Sequence, residues 1–294
     1  MEFIRTNLPY FLAGISTGGQ YALIAIGYTM VYGILRLINF AHGDVFMAAG
    51  IIMIYLYSVM PLFVAIPCTI ILTCVLGFCI ERIAYKPLRT APRMSVMISA
   101  IGMSYLLQNL ALYITGGLTK YYPTINWISD SVQIFGAMTK RVTIVTPFLT
   151  LFLVVGLVLL IRYTKIGMAM RAVSKDFETA QLMGIRLDLV ISITFVIGSF
   201  LAAIGSMLFF SNYTGVTPTV GAMPGLKAFV AAVFGGIGSI PGAVIGAFII
   251  GICENIIKGL GLTTFSDAFT FVLLIVVLMF MPTGIFGEKA TDKV

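Results

Sequence analysis

The sequence predicts an all-α polytopic membrane protein of about eight transmembrane helices plus one broken or half-helix element. Three observations carry that prediction. Hydrophobic residues make up 60% of the 294, charged residues only 10%, and the mean hydropathy is +1.06, whereas soluble domains carry roughly 25% charge. Apolar runs recur at about 20 residues, the length a helix needs to cross the hydrocarbon core. These runs are continuous, unlike the short alternating segments of a β-barrel. A soluble chain of this length could bury a good core, but could not hide this much apolar surface.

Taken in order, the expected spans are 8–35, 43–60, 62–82, 94–115, 143–162, 189–211, 241–258 and 266–284. The first run is too long for a secretory h-region and lacks a small-x-small cleavage site, so it is expected to be retained. Segment 225–237 is too short and glycine-rich for an ordinary span. Residues 81–93 carry four Lys/Arg and residues 162–188 carry five. Both therefore belong on the cytoplasmic side, and the two spans between them keep the parity consistent. The loop 117–142 then lies outside, where Tyr121, Tyr122 and Trp127 fit an interfacial aromatic cluster. Counting backward places the N-terminus outside and Arg36 inside; the tail after residue 286 is expected inside if 225–237 dips and returns. The chain is expected to form a single transmembrane domain, 1–294, with a cytoplasmic segment at 162–188.

The net charge of +7 does not imply nucleic acid, because the basic residues cluster between apolar runs. Cys68, Cys74, Cys79 and Cys253 lie inside apolar runs without zinc-site or redox spacing, and are expected to be small core residues. No metal site is expected.

Two stretches interrupt the apolar pattern with polar or helix-breaking residues. "RLINFAHGDVF", 36–46, holds Asn39, the only histidine (His42), Gly43 and Asp44 between apolar runs, where unpaired polar groups are costly. It is expected at the cytoplasmic end of the first span. There Arg36 snorkels, Asn39 and His42 bond freed backbone groups, Gly43 supplies the bend and Asp44 favours the next helix start. A structural turn and a gate at the cytoplasmic exit both fit. The second stretch, 221–251, carries eight glycines and two prolines. Backbone that leaves the helix in lipid must find partners in protein or water, so tight packing and a broken helix beside a transport path are both open. Gly235, Gly236 and Gly238 are the candidates there. The stretches around 37–53 and 233–249 echo one another weakly, as the halves of an inverted repeat do. Gln20, Gln108 and Asn109 are further polar residues within spans, with Gln108 and Asn109 expected to face the bundle. Glu254 and Asn255 are expected at a solvated helix end, and Lys227 is expected to snorkel.

The segment "RYTKIGMAMRAVSKDFETAQLMGIRLDLV", 162–190, carries its own short helix signature. Asp176 is a good N-cap, and Gly184 sits where a C′ glycine belongs. At about two turns the helix is too short to stand alone in water. Phe177, Ala180 and Met183 recur at a spacing of three. An apolar stripe beside basic residues fits docking into a partner's groove, or a helix resting on the bilayer.

At these residues the chain resembles the permeases of ABC importers for branched-chain amino acids. "TKIGMAMRAVSKDFETAQLMGI" resembles their cytoplasmic loop and "INFAHGD" their signature after the first long span. "GLKAFVAAVFGGIGSIPGAVIGAFIIGICEN" resembles their C-terminal glycine-rich block, and "MPTGIFGEK" their closing motif. The blocks keep the family's order from about residue 10 to 288; Phe40 and Asp44 stand where many members carry Met and Glu. The resemblance implies the shorter, H-type subunit. It implies as partners an M-type permease, two cytoplasmic ATPase subunits, an extracytoplasmic binding protein and membrane lipid. On that analogy 174–185 is the coupling helix, with Arg171, Asp176, Ala180 and Gly184 in its motif. The implied location is the cytoplasmic (inner) membrane of a bacterium or archaeon. With no G-x-x-x-x-G-K-[ST] loop the chain is expected to bind no cofactor, ATP being used by its partners, and to be no enzyme. Leucine, isoleucine or valine is the implied cargo. The same importer class carrying urea or short amides, a passive channel, and an ion-coupled secondary transporter stay open as alternatives.

Overall fold

The computed structural model describes residues 2–89, 91–134 and 137–287. The predicted position of the tail beyond Gly287 lies outside them. The chain runs α1 (Glu2–Leu35), α2 (His42–Tyr57), α3 (Leu62–Ile80), α4 (Arg93–Thr115), α5 (Asn126–Ser129), α6 (Arg141–Tyr163), α7 (Lys165–Lys175), α8 (Phe177–Leu182), α9 (Leu187–Asn212), α10 (Ala222–Gly235), α11 (Ile240–Gly259) and α12 (Ser266–Phe280). Each of the eight expected spans forms a helix, but the one expected at 43–60 is the short helix α2, and 225–237 is the short helix α10.

Among the described residues, six helical segments are long and apolar enough to cross a membrane: Leu62–Leu88, Arg93–Thr115, Arg141–Tyr163, Leu187–Asn212, Ile240–Gly259 and Thr263–Phe280. At 34 residues α1 is longer than any of them, but its middle is rich in Gly, Ser and Thr. Residues 16–31 are buried throughout, so protein rather than lipid surrounds them. Large apolar side chains on α3, α4, α6 and α12, such as Phe63, Tyr105, Phe152 and Phe280, point outward instead. That is the inverse of a soluble core and suits a lipid solvent.

α1 and α9 lie antiparallel at the centre, since Gln20, Leu23 and Gly27 meet Leu208, Gly205 and Gly198 in descending order. Around them the packing is reciprocal. α2 and α3 pack on α9 while α10 and α11 pack on α1; α4 lies beside α2 and α12 beside α10. This is an inverted repeat of α1–α4 and α9–α12, with α6 added at the side. The counterpart of α2 is therefore α10, not the 233–249 stretch suggested by the weak echo. The correspondence shows in "VFMAAG", 45–50, against "AFVAAV", 228–233. α2 and α10 have only 16 and 14 residues, about 24 and 21 Å, too short to span.

One end of the bundle carries the basic segments, and is called the basic end below. There α3 continues through a π-helical turn, Glu81–Tyr85, and a 3₁₀ turn, Lys86–Leu88. At the opposite end, β1 (Lys120–Tyr121) pairs antiparallel with β4 (Gly215–Val216), and β2 (Ser131–Ile134) forms a hairpin with β3 (Ala137–Lys140). These strands were not expected from the sequence. The aromatic cluster expected here divides: Tyr121 is exposed, whereas Tyr122 is buried against Phe210, with ring centroids 5.8 Å apart. Trp127 lies on α5.

Candidate functional site

The N-termini of α2 and α10 meet inside the bundle. A Cβ on Gly43 would stand 2.8 Å from the Gly221 carbonyl oxygen and 3.1 Å from Gly225 Cα, so this approach of two backbones requires glycine. His42, the first residue of α2, is buried and packs edge-on against Tyr28 at 5.0 Å between ring centroids. Its ring lies across Gly27 of α1, where any Cβ would overlap Nε2, and its Cε1 is 3.5 Å from where a Cβ of Gly198 would stand. Gly27 lies eight residues before the end of α1, about 12 Å along the axis. α2 thus begins below the basic end rather than at its surface, correcting the expected position of 42–46.

The turn before it also differs from expectation. Arg36 is exposed and ends α1 at φ +55°, a left-handed conformation uncommon for a side-chain-bearing residue. The Asn39 carbonyl accepts from the His42 backbone N–H at 3.1 Å, but its side chain does not close the turn. Instead Asn39 Oδ1 accepts from the Tyr85 hydroxyl at 3.0 Å, tying the turn to the π segment. His42 bonds backbone at Ile24 of α1 rather than within the turn, and its Nε2 is buried without a partner among the described residues. Asp44, buried in the first turn of α2, accepts from Ser104 Oγ and, at 3.0 Å, from Gln108 Nε2 of α4. The N-terminal dipole of α2 adds to these contacts. Asn109, by contrast, faces outward and donates to the Tyr105 carbonyl at 2.8 Å on its own helix. One residue is a 100° step on a helix, which places Asn109 off the bundle-facing side.

Lys227 occupies the first turns of α10 as Asp44 does those of α2. It is buried, not snorkelling, and bonds Glu254 Oε1 at 2.8 Å and Asp267 Oδ1 at 2.6 Å. Glu254 is 1% exposed and also accepts from Lys258 at 2.6 Å and from the Tyr21 hydroxyl at 3.0 Å. Asn255 is buried as well, its amide donating to the Gly251 carbonyl at 2.9 Å. The expected solvated helix end is therefore a charge-balanced network joining α1, α10, α11 and α12. Its counterpart at the basic end is built on Glu81, fully buried at the start of the π turn. Glu81 takes Arg89 on one oxygen and the Ser192 hydroxyl of α9 at 2.8 Å on the other. Arg89 also bonds Asp188, which pairs with Lys86 at 2.6 Å.

Gln20 is buried on α1, donating at 3.4 Å to the Leu208 carbonyl of α9, so it faces a helix contact rather than an open path. Gly235, Gly236 and Gly238 gather at the basic end, away from the α2–α10 junction. The Gly235 carbonyl accepts from the Phe286 N–H at 2.9 Å, and Gly236 and Gly238 adopt φ +106° and +101°. The glycine-rich block and the closing motif are thus two sides of one joint.

The 162–188 segment holds two helices rather than one. Residues 174 and 175 end α7, and Arg171 is exposed upon it. α8 starts at the expected cap: Asp176 Oδ1 accepts from the backbone N–H of Glu178 at 3.0 Å and of Thr179 at 3.3 Å. It stops at the expected glycine, with Gly184 at φ +82° and the Ile185 N–H donating to the Ala180 carbonyl at 3.1 Å. The predicted stripe does not form one face. Ala180 packs inward and Phe177 is half-buried, while Leu182 and Met183 are 88% and 79% exposed.

Sequence reasoning passed over Tyr85, Ser104, Gly27, Gly198 and the Glu81–Arg89–Asp188 cluster. For Tyr85 a signal existed: no Gly or Pro falls between Gly77 and Pro87, so nothing in that stretch stops α3 at residue 82.

Comparison with known proteins agrees with this architecture. Residues 10–278 match the family model described as "Branched-chain amino acid transport system / permease component". The chain is 41% identical to the high-affinity branched-chain amino acid transport system permease protein LivH of Salmonella typhimurium, over 97% of this chain and 98% of that one. It is 40% identical to the corresponding protein BraD of Pseudomonas aeruginosa over the full length of both. The ribose import permease protein RbsC of Haemophilus influenzae is 25% identical over 87% of this chain and 79% of its own. With its blocks in order, its helices in place and the family model matching most of its length, the chain belongs to the permease-component family of branched-chain amino acid transport systems.

Proposed function

We propose that this chain is the H-type membrane subunit of a binding-protein-dependent importer for leucine, isoleucine and valine, driven by ATP hydrolysed on partner subunits. The observation that carries the proposal is α8: a two-turn helix capped at both ends, held on the basic end, with Leu182 and Met183 exposed beside basic residues. A helix this short persists only when caps and neighbours hold it, and a rigid, partly apolar knob suits a groove on a partner. Arg171, Asp176, Phe177, Ala180, Met183 and Gly184 are assigned to this coupling. Asp176 and Gly184 fix the helix ends, Ala180 and Phe177 seat it, and Met183 meets the ATPase.

The chain performs no covalent chemistry on this reading and binds no nucleotide. ATPase subunits that prefer one arrangement of the coupling segment shift the population of inward- and outward-open states. The expected complex contains a second, M-type permease, two ATPase subunits and an extracytoplasmic binding protein, all within or against the inner membrane. The α2–α10 junction is assigned to the transport path, with His42, Gly43, Asp44, Asn39 and Gln108 shaping it from inside the bundle. Half-helix N-termini at membrane depth present freed backbone N–H groups, a recurring device of transporters. Gln20, Asn109, Gly235, Gly236 and Gly238 take positions that support packing rather than contact with cargo.

Co-expression with the ATPase, M-type and binding-protein subunits of such an importer tests this. Co-purification and leucine uptake that stops when the ATPases are omitted are expected. Failure to associate, or uptake that persists without the ATPases, contradicts the proposal.

A further inference from the structure

α4 turns one face to the bundle and the opposite face outward. Val96, Ala100, Leu107 and Ala111 are buried, whereas Ile98, Gly102, Tyr105, Asn109, Leu112 and the capping Gly116 are exposed. The exposed six recur at alternating steps of four and three, the repeat of about 3.5 residues that marks a seam between two helices. Two of them do not suit a lipid-facing surface.

Asn109 lies six residues before the end of α4, about 9 Å along the axis. One of its N–H groups donates to the Tyr105 carbonyl on its own helix, while its Oδ1 and second N–H have no partner among the described residues. Elsewhere such groups turn inward: every Ser and Thr of α6, α9 and α12 is buried. A free carboxamide in hydrocarbon is unfavourable, and Asn within a span typically bonds across to a neighbouring helix. Gly102 has open space where a Cβ would stand. Nothing inside the chain requires glycine there, although mid-helix glycine costs about 1 kcal/mol against alanine. An open glycine lets a second helix approach closely. Gly156 of α6 is equally open, but only apolar residues are exposed beside it.

The occupant is a transmembrane helix, because α4 is itself one of the membrane-crossing helices, and it carries a polar side chain at the level of Asn109. Of the partners in the proposed complex, only the second permease lies at that depth. The face also adjoins the α2–α10 junction, since Ser104 and Gln108, on the flank of α4, hold Asp44. We propose that the outward face of α4 is the seam on which the M-type permease docks. Asn109 bonds a polar side chain of that subunit, and Gly102 admits one of its bulky side chains. The identity of the partner rests on the importer reading. A shift of the partner across α4 is then passed to the start of α2 through Asp44.

The test is photocrosslinking in membranes that hold the co-expressed importer subunits, with p-benzoylphenylalanine placed at Tyr105, at Leu112, or at Phe152 on the exposed face of α6. The two α4 positions are expected to give adducts with the M-type subunit, and Phe152 to give none. Gly102→Leu fills space that this chain leaves open. It is expected to cut the co-purified M-type subunit severalfold while the amount of this chain in the membrane holds. Asn109→Leu is expected to do the same, and Asn109→Gln to keep the pairing. An assembled complex without an M-type adduct from either α4 position, an adduct with a second copy of this chain or with lipid alone, or normal assembly of the Gly102→Leu complex overturns the proposal. A wild-type chain that retains neither the M-type subunit nor the ATPases contradicts the importer reading, and the partner named here with it.

Discussion

His42 fits only because two side chains are missing. Its ring occupies the volume that a methyl group on Gly27 would take, with Gly198 on the far side. Gly27→Ala is therefore expected to lower folded yield and Tm sharply, and His42→Ala in the same chain to restore both; size-exclusion profiles and thermal melts read the outcome. An innocuous Gly27→Ala would contradict this packing. Lys227→Met leaves Glu254 with Lys258 and takes from Asp267 the lysine it pairs with. Breaking a buried pair from one side costs about 3–5 kcal/mol, so a large fall in thermal stability is expected, partly recovered by adding Glu254→Gln. Polar residues such as His42 and Asp44 were legible as special because they stand out against apolar neighbours. Their partners were not, since Gly27 and Gly198 read as ordinary small residues until the helices are brought together. Glu254 and Lys227 were misjudged because each lies near an element's end, and distance from an end does not reveal what packs over it.

At the scale of elements, α8 was readable from its ends alone, because Asp at an N-cap and Gly at C′ answer local hydrogen-bonding needs that hold in any fold. Asp176→Ala removes the bonds to Glu178 and Thr179. A loss of about 1 kcal/mol is a large share of what holds two turns. Uptake is expected to fall severalfold while the amount of subunit in the membrane stays unchanged; unchanged uptake would count against α8 as the coupling element. The π turn was not readable, since no residue type encodes an i→i+5 register; tertiary bonds from Glu81 and Tyr85 hold it. Such turns recur at functional sites. Tyr85→Phe frees Asn39 Oδ1 and is expected to lower uptake per ATP hydrolysed more than it lowers Tm. An equal effect on both would assign Tyr85 a packing role only.

For the whole molecule, composition and run length were enough for the class and for every long helix, because lipid solvent imposes both. The inverted repeat was harder to read. Its halves share little beyond the α2/α10 similarity, and the more conspicuous glycine block turned out to join α10, α11 and the 281–287 turn. Nor does the sequence reveal that the two short helices meet at their N-termini, since Gly43 and Gly221 lie far apart along the chain and only the fold brings their backbones together. The central claim is that partner ATPases move this bundle through α8. Leucine uptake into proteoliposomes, measured together with ATP hydrolysis for wild type and Gly184→Pro, tests it most directly. Proline cannot adopt the φ of +82° at that position, so α8 loses its fixed end. The account predicts that hydrolysis continues while leucine accumulation per ATP collapses. Wild-type coupling in a folded Gly184→Pro complex would contradict it.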